Sequence, residues 1–91
     1  GRLAGKVAIV SGGAGGCGGA ASELFAAQGA KVAIIDRDGD AAETLASRLR
    51  DAGLQAIGLG ADVSKQVEVQ QAVNAAREQY GNADILFNHA G

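Results

Sequence analysis

Proline, methionine and tryptophan are absent from this chain, and its aromatic residues are Phe25, Phe87 and Tyr80 alone. The missing methionine includes an initiator, so a processed or trimmed start is expected. A single cysteine, Cys17, excludes an internal disulfide framework and fits a reducing compartment. There is no excess of basic residues. The net charge of −2 and pI near 5.1 argue against a nucleic-acid or anionic-membrane partner, either of which wants a basic face. No apolar run exceeds strand length, so no membrane span is expected, and residues 1–6 do not open a signal peptide. Cytoplasm is the expected location. At 91 residues the chain is one domain or a piece of one, and a chain this short buries only about 60–65% of the surface its unfolded form exposes.

What is present is glycine, 15 residues of it, and a repeat. Lys6-Val7-Ala8-Ile9 recurs as Lys31-Val32-Ala33-Ile34, and each copy is followed by a stretch of helical period. Further apolar runs occupy 56–59 and 85–87. Four short β-like runs separated by helical patterns predict βα units and a parallel sheet. The runs are continuous rather than alternating, as strands covered on both faces require.

The helices have readable faces. Cys17, Ala21, Leu24, Phe25 and Gln28 form the predicted apolar stripe of the first, with Gly29 as its stop. Ala42, Leu45, Leu49 and Ala52 form that of the second, between an Asp38 or Asp40 cap and Gly53. Val69, Ala72, Val73, Ala76 and Tyr80 form that of the third, between a Ser64 cap and Gly81. Crossovers are right-handed almost without exception. The pattern therefore predicts an α/β fold, a Rossmann-type doubly wound parallel sheet running β1-α1-β2-α2-β3-α3-β4 in the order 3-2-1-4. Such a sheet is incomplete at the strand-4 edge, where Ile85, Leu86 and Phe87 would lie uncovered on at least one side. A longer protein, or a second chain supplying the next strand, is expected. No linker, low-complexity segment or second domain interrupts residues 1–91.

The first strand runs into Ser11-Gly12-Gly13-Ala14-Gly15-Gly16-Cys17-Gly18-Gly19. A turn that delivers a helix N-terminus to a phosphate needs residues without Cβ. The unpaired N–H groups of the first helical turn then point at the anion, and the macrodipole adds attraction. A glycine-rich turn can also serve flexibility alone. Here, however, an acid, Asp36, ends the next strand, where a carboxylate can accept both hydroxyls of an adenosine ribose. It also discriminates: a 2′-phosphate roughly 4–5 Å away would meet repulsion of about 3–4 kcal/mol per unit charge at an effective dielectric of about 20. NAD is thus favoured over NADP. Arg37 opposes this, because a neighbouring arginine can swing onto a 2′-phosphate.

With these residues in hand, the whole chain resembles the N-terminal, cofactor-binding half of a short-chain dehydrogenase/reductase. That family's Thr-Gly-x-x-x-Gly-x-Gly reads here as Ser11-Gly12-Gly13-Ala14-Gly15-Gly16-Cys17-Gly18, with serine keeping the hydroxyl. Its Asp-Val pair after strand 3 appears as Asp62-Val63, and its Asn-Asn-Ala-Gly after strand 4 as Asn88-His89-Ala90-Gly91. The resemblance implies that Ser11, Gly12, Gly15, Gly16, Cys17 and Gly18 belong to the cofactor site. It implies that Asp62 accepts from the adenine amino group and Val63 contacts the ring through its backbone. Asn88 would tie its strand to its neighbours, and Ala90 and Gly91 would line the ribose near the nicotinamide.

Three residues depart from the pattern. Cys17 stands where the family has Ile or Leu, and is either a thiol of lowered pKa in a first helical turn or a small packing group. His89 replaces the second Asn, either as a group titrating near the cofactor or as a polar replacement. Gly15 replaces a small polar residue, so one phosphate contact would be missing.

The resemblance places the family's chemistry, a Tyr with Lys four residues on and an upstream Ser, beyond the asparagine motif. No catalytic residue is identified in this chain, and no metal site. Tyr80 has Asp84, not Lys, four residues on and reads as the last apolar position of the third helix. The function expected is NAD binding within an oxidoreductase that moves a hydride between nicotinamide and an alcohol or ketone. The small-molecule substrate would be held by the rest of the protein, which the resemblance implies is a homo-oligomer. The alternatives are a non-catalytic dinucleotide-binding module and a methyltransferase. The latter is disfavoured because its glycine loop begins with an acid where Ser11 stands.

Overall fold

The two copies of the Lys-Val-Ala-Ile repeat lie side by side at the centre of a parallel sheet. The structure is a computed structural model that describes residues 1–88. Strands β1 (Val7–Ser11), β2 (Lys31–Asp36), β3 (Gln55–Gly60) and β4 (Ile85–Asn88) alternate with helices α1 (Gly16–Ala27), α2 (Gly39–Asp51) and α3 (Gln66–Tyr80). The sheet order is β3-β2-β1-β4, all pairs parallel, the doubly wound order the sequence predicts.

Side chains alternate across the sheet. Ala8, Val10, Val32, Ile34 and Ala56 face one side, where Leu45, Ala46 and Leu49 of α2 and Ala26 of α1 pack on them. Ile9, Ala33 and Ile35 face the other, covered by Ala72 and Ala76 of α3. Burial on both faces explains the unbroken apolar runs of the two central strands. Strand β4 differs. Ile85 and Phe87 pack toward α1, with the Phe87 ring edge-on to Phe25 at 6.0 Å, whereas Leu86 points the other way and is 72% exposed. No helix among the described residues is long and apolar enough to cross a membrane.

The helix boundaries follow the predicted signals with three corrections. Asp38 is the N-cap of α2, its carboxylate accepting from Ala41 N–H at 3.0 Å, and Gly29, Gly53 and Gly81 all take positive φ at the three helix ends. Ser64, however, does not cap α3. Its hydroxyl donates to Asp62, and the capping position falls to Lys65, which makes no side-chain cap bond. The buried face of α1 is Gly18, Gly19, Ser22 and Ala26; Cys17 and Leu24 of the predicted stripe are exposed, while Phe25 and Gln28 are half-buried. Hydropathy marked the large residues, but the contact face of this helix is made of small ones, with Gly18 seated against the Gly12 backbone. Ala52, the last predicted residue of the α2 stripe, is exposed just past the helix end.

Helix α2 sits close to β3. A Cβ at Gly58 would come within 2.5–2.6 Å of the Ala42 and Glu43 backbone. Gly58→Ala is therefore expected to cost about 1–3 kcal/mol by overpacking, read from the midpoint of denaturant unfolding. An unchanged midpoint would show that α2 moves away freely.

Candidate functional site

Three successive amides fix the glycine turn. Gly12 N–H and Gly13 N–H both donate to the Ile35 carbonyl, at 2.7 and 3.1 Å, and Ala14 N–H donates to Asp36 Oδ2 at 3.1 Å. The end of β2 thus holds the turn that follows β1. Gly12 has φ of +69°, and a Cβ at Gly18 would collide with the Gly12 carbonyl, so the first turn of α1 touches the loop backbone directly. Ser22, fully buried, completes the arrangement: its hydroxyl bridges the carbonyls of Gly13 (3.1 Å) and Gly18 (2.9 Å). Sequence reasoning passed over Ser22. A polar residue one turn into a glycine-led helix was the available signal, since serine in a helix interior commonly bonds back to the i−4 carbonyl.

Beyond Ala14 the backbone donors change character. The first intrahelical bond runs from Gly19 N–H to the Gly15 carbonyl at 3.0 Å, so the amides of Gly16, Cys17 and Gly18 precede it. No side chain caps this helix, and no acid stands in its first turn. Around Gly15 and Gly16 there is open space: a Cβ at either would meet nothing within 4 Å, and Gly16 takes φ of +56°. Cys17 is an exposed free thiol.

Asp36 is held on both sides. Oδ2 accepts from Ala14, and Oδ1 from Asp38 N–H at 3.0 Å. A carboxylate offers about four acceptor positions, so roughly two remain for hydroxyls. Two residues past β3, Asp62 Oδ1 accepts from both the hydroxyl (2.7 Å) and the amide (3.0 Å) of Ser64, and Oδ2 accepts from Arg37 Nη2 at 3.0 Å. Asp62 N–H in turn donates to Glu68 Oε1 at 2.9 Å. The two bonds from Ser64 and the Arg37 guanidinium hold the Asp62 carboxyl down at about 2, against an ordinary 3.8.

Ser11 and Asn88 meet at the ends of β1 and β4, the Ser11 hydroxyl donating to Asn88 Oδ1 at 2.6 Å. An apolar groove opens beside them on the α3 face, lined by Ile9, Ile35, Val63, Val69, Val73 and Leu86. Ser11, Gly12, Gly15, Gly16, Cys17, Gly18, Asp36, Asp62, Val63 and Asn88 thus all stand at or just beyond the carboxyl ends of the strands, or in the turn that opens α1. Ala90 and Gly91, with His89, lie outside the described residues. Tyr80 is half-buried at the end of α3, and burial raises its hydroxyl pKa. Among the described residues no group of three His, Cys, Asp or Glu side chains could hold a metal ion.

Two consequences can be measured. Ser22→Ala removes the one hydroxyl proton that the two carbonyls share and is expected to cost about 1–3 kcal/mol in unfolding experiments; a neutral result would mean the turn holds its shape without it. For Asp62 the folded pKa lies below the unfolded one. Its stabilising contribution is therefore complete above about pH 4 and is lost as pH falls through about 2. Ser64→Ala is expected to raise the Asp62 midpoint in a carboxyl NMR titration. An unmoved midpoint would contradict the assigned cause.

Comparison with known proteins agrees with this arrangement. The family described as short chain dehydrogenase matches residues 6–91. Tropinone reductase-like 2 of Erythroxylum coca is 47% identical over 90 residues, a match that covers 99% of this chain and 32% of that protein. D-threitol dehydrogenase of Mycolicibacterium smegmatis is 42% identical over 91 residues, covering 99% of this chain and 35% of that protein. Among solved structures, a hydroxysteroid dehydrogenase from Escherichia coli superposes with a TM-score of 0.95 at 34% identity, over 99% of this chain and 38% of the other. The chain spans about a third of the length of the curated relatives it matches. From the turn that opens α1 to the strand ends that face it, this chain belongs to the short-chain dehydrogenase family.

Proposed function

We propose that residues 1–91 are the NAD-binding half of an oxidoreductase domain whose substrate is a small alcohol or ketone. The observation that carries this is the juxtaposition at the strand ends: uncapped amides of Gly16, Cys17 and Gly18 beside an Asp36 carboxylate with acceptor capacity to spare. The amides, with the macrodipole behind them, hold a pyrophosphate. Ser11, Gly12 and Gly15 shape the wall against which it lies. Asp36 accepts the hydroxyls of the adenosine ribose. The one acceptor position of about four left on Asp62 takes the adenine amino group, with the Val63 backbone against the ring. Asn88, locked to Ser11, fixes the floor near the nicotinamide end, which Ala90 and Gly91 continue.

When bound, NAD supplies a nicotinamide carbon that takes or gives a hydride. The chain's own part is to bind, orient and select. Residues for proton transfer and substrate recognition are assigned to sequence beyond the matched third. The family name, and the dehydrogenases and reductases among the relatives, support the reaction class. A cytoplasmic location and a homo-oligomeric complete protein belong to the same proposal.

NAD is preferred over NADP because the Asp36 carboxylate is fixed by two amides and cannot turn away from a 2′-phosphate. Asp36→Ala is expected to weaken NAD binding about ten- to hundredfold, the loss of one or two charge-assisted hydrogen bonds. NADP should lose less, narrowing the preference. Calorimetric titration with both nucleotides checks this, and an unchanged NAD/NADP ratio would refute the role given to Asp36.

A further inference from the structure

Arg37 and Asp62 lie 25 residues apart in sequence but on neighbouring strand ends. The register that pairs Asp36 with Gly60 leaves Arg37 one residue past β2 and Asp62 two past β3. Their ion pair closes at 3.0 Å. The arginine side chain is 78% exposed and the aspartate 19%, so the guanidinium is the partner with freedom to move. Asp62 itself is anchored by Ser64 through Oδ1 and by Glu68 through its amide. Lys65, the nearest cation in sequence, is turned to Glu68 at 3.7 Å.

We propose that Asp62 is a cofactor-specificity residue: by holding Arg37 in this ion pair it withholds the guanidinium from a 2′-phosphate, and the strength of that latch helps set the preference for NAD over NADP. The inference rests on the dinucleotide reading above. Asp36 immediately precedes Arg37, so a 2′-phosphate on a ribose held at Asp36 falls within reach of the next side chain. While the pair is closed, the Asp62 carboxylate takes Nη2 and offsets the guanidinium charge, so the full pull of Arg37 on a phosphate needs the pair to open. Asp36 thus contributes a fixed repulsion, and Arg37 an attraction that is available in full only when the latch opens. An exposed ion pair shifts such an equilibrium by roughly fivefold at most, so the latch tunes the preference that Asp36 establishes and does not create it.

The test is a double-mutant cycle on the ratio of dissociation constants, NADP over NAD, measured by calorimetry for the wild-type protein, Asp62→Asn, Arg37→Gln and the double variant. Both nucleotides carry the same adenine, so any hydrogen bond from the ring to Asp62 that the substitution removes cancels in the ratio. Asp62→Asn is expected to lower the ratio about two- to fivefold, and Arg37→Gln to raise it. The effect of Asp62→Asn should shrink once Arg37 is gone. A lowering of equal or greater size without Arg37 would mean that the Asp62 charge acts on the phosphate directly, which overturns the latch, as does no lowering at all. Arg37→Gln alters a surface side chain and tests the idea alone: an unchanged ratio in that variant also overturns it. If the wild-type protein binds neither nucleotide, the dinucleotide reading fails, and the latch with it.

Discussion

The close seating of α1 against the turn that precedes it is the constraint on which the other features rest. Gly18 has no Cβ because the Gly12 carbonyl occupies that space, and Ser22 clasps the carbonyls of Gly13 and Gly18 from inside the core. No side chain caps this helix: its N-cap is Gly15, with open space around it. Its first amides therefore have no partner from a capping side chain. In an isolated helix that would be a defect; at the mouth of a ligand crevice it suits the anion-binding role proposed for it.

The second strand serves this arrangement twice. Its Ile35 carbonyl takes the amides of Gly12 and Gly13, and its terminal Asp36 takes Ala14 and Asp38. The carboxylate that would bind the ribose is therefore also one of the two acceptors that position the glycine turn, so the two halves of the site are tied through the end of one strand. Next to it, the Asp62 loop is fixed by Ser64, Glu68 and Arg37. The mouth carries charges of both signs, Arg37 paired with Asp62 and Asp36 bonded to two amides, with limited acceptor capacity left over. That residual capacity, rather than net charge, decides what fits.

Much of this was legible in the sequence. The strand runs and the three terminal glycines were readable, the α2 cap was narrowed to Asp38 or Asp40, and the sheet order followed from crossover handedness. What was not legible depends on packing between small or distant residues. The inner face of α1 is glycine, serine and alanine, which no hydropathy stripe reveals, so the larger Leu24 and Cys17 stood in for it. Ser64 has the composition of a cap, but its hydroxyl is taken by Asp62 two residues earlier. The Arg37–Asp62 pair needed the β2–β3 register before the two residues could be seen as neighbours.

The most direct test of the central claim follows the amides themselves. In a 15N-resolved NMR titration of the protein with NAD, the Gly16, Cys17 and Gly18 amide signals are predicted to show the largest shifts. Those of Gly12 and Gly13, already bonded to Ile35, should move little. Saturable NAD binding with the three α1 amides unmoved would contradict the account.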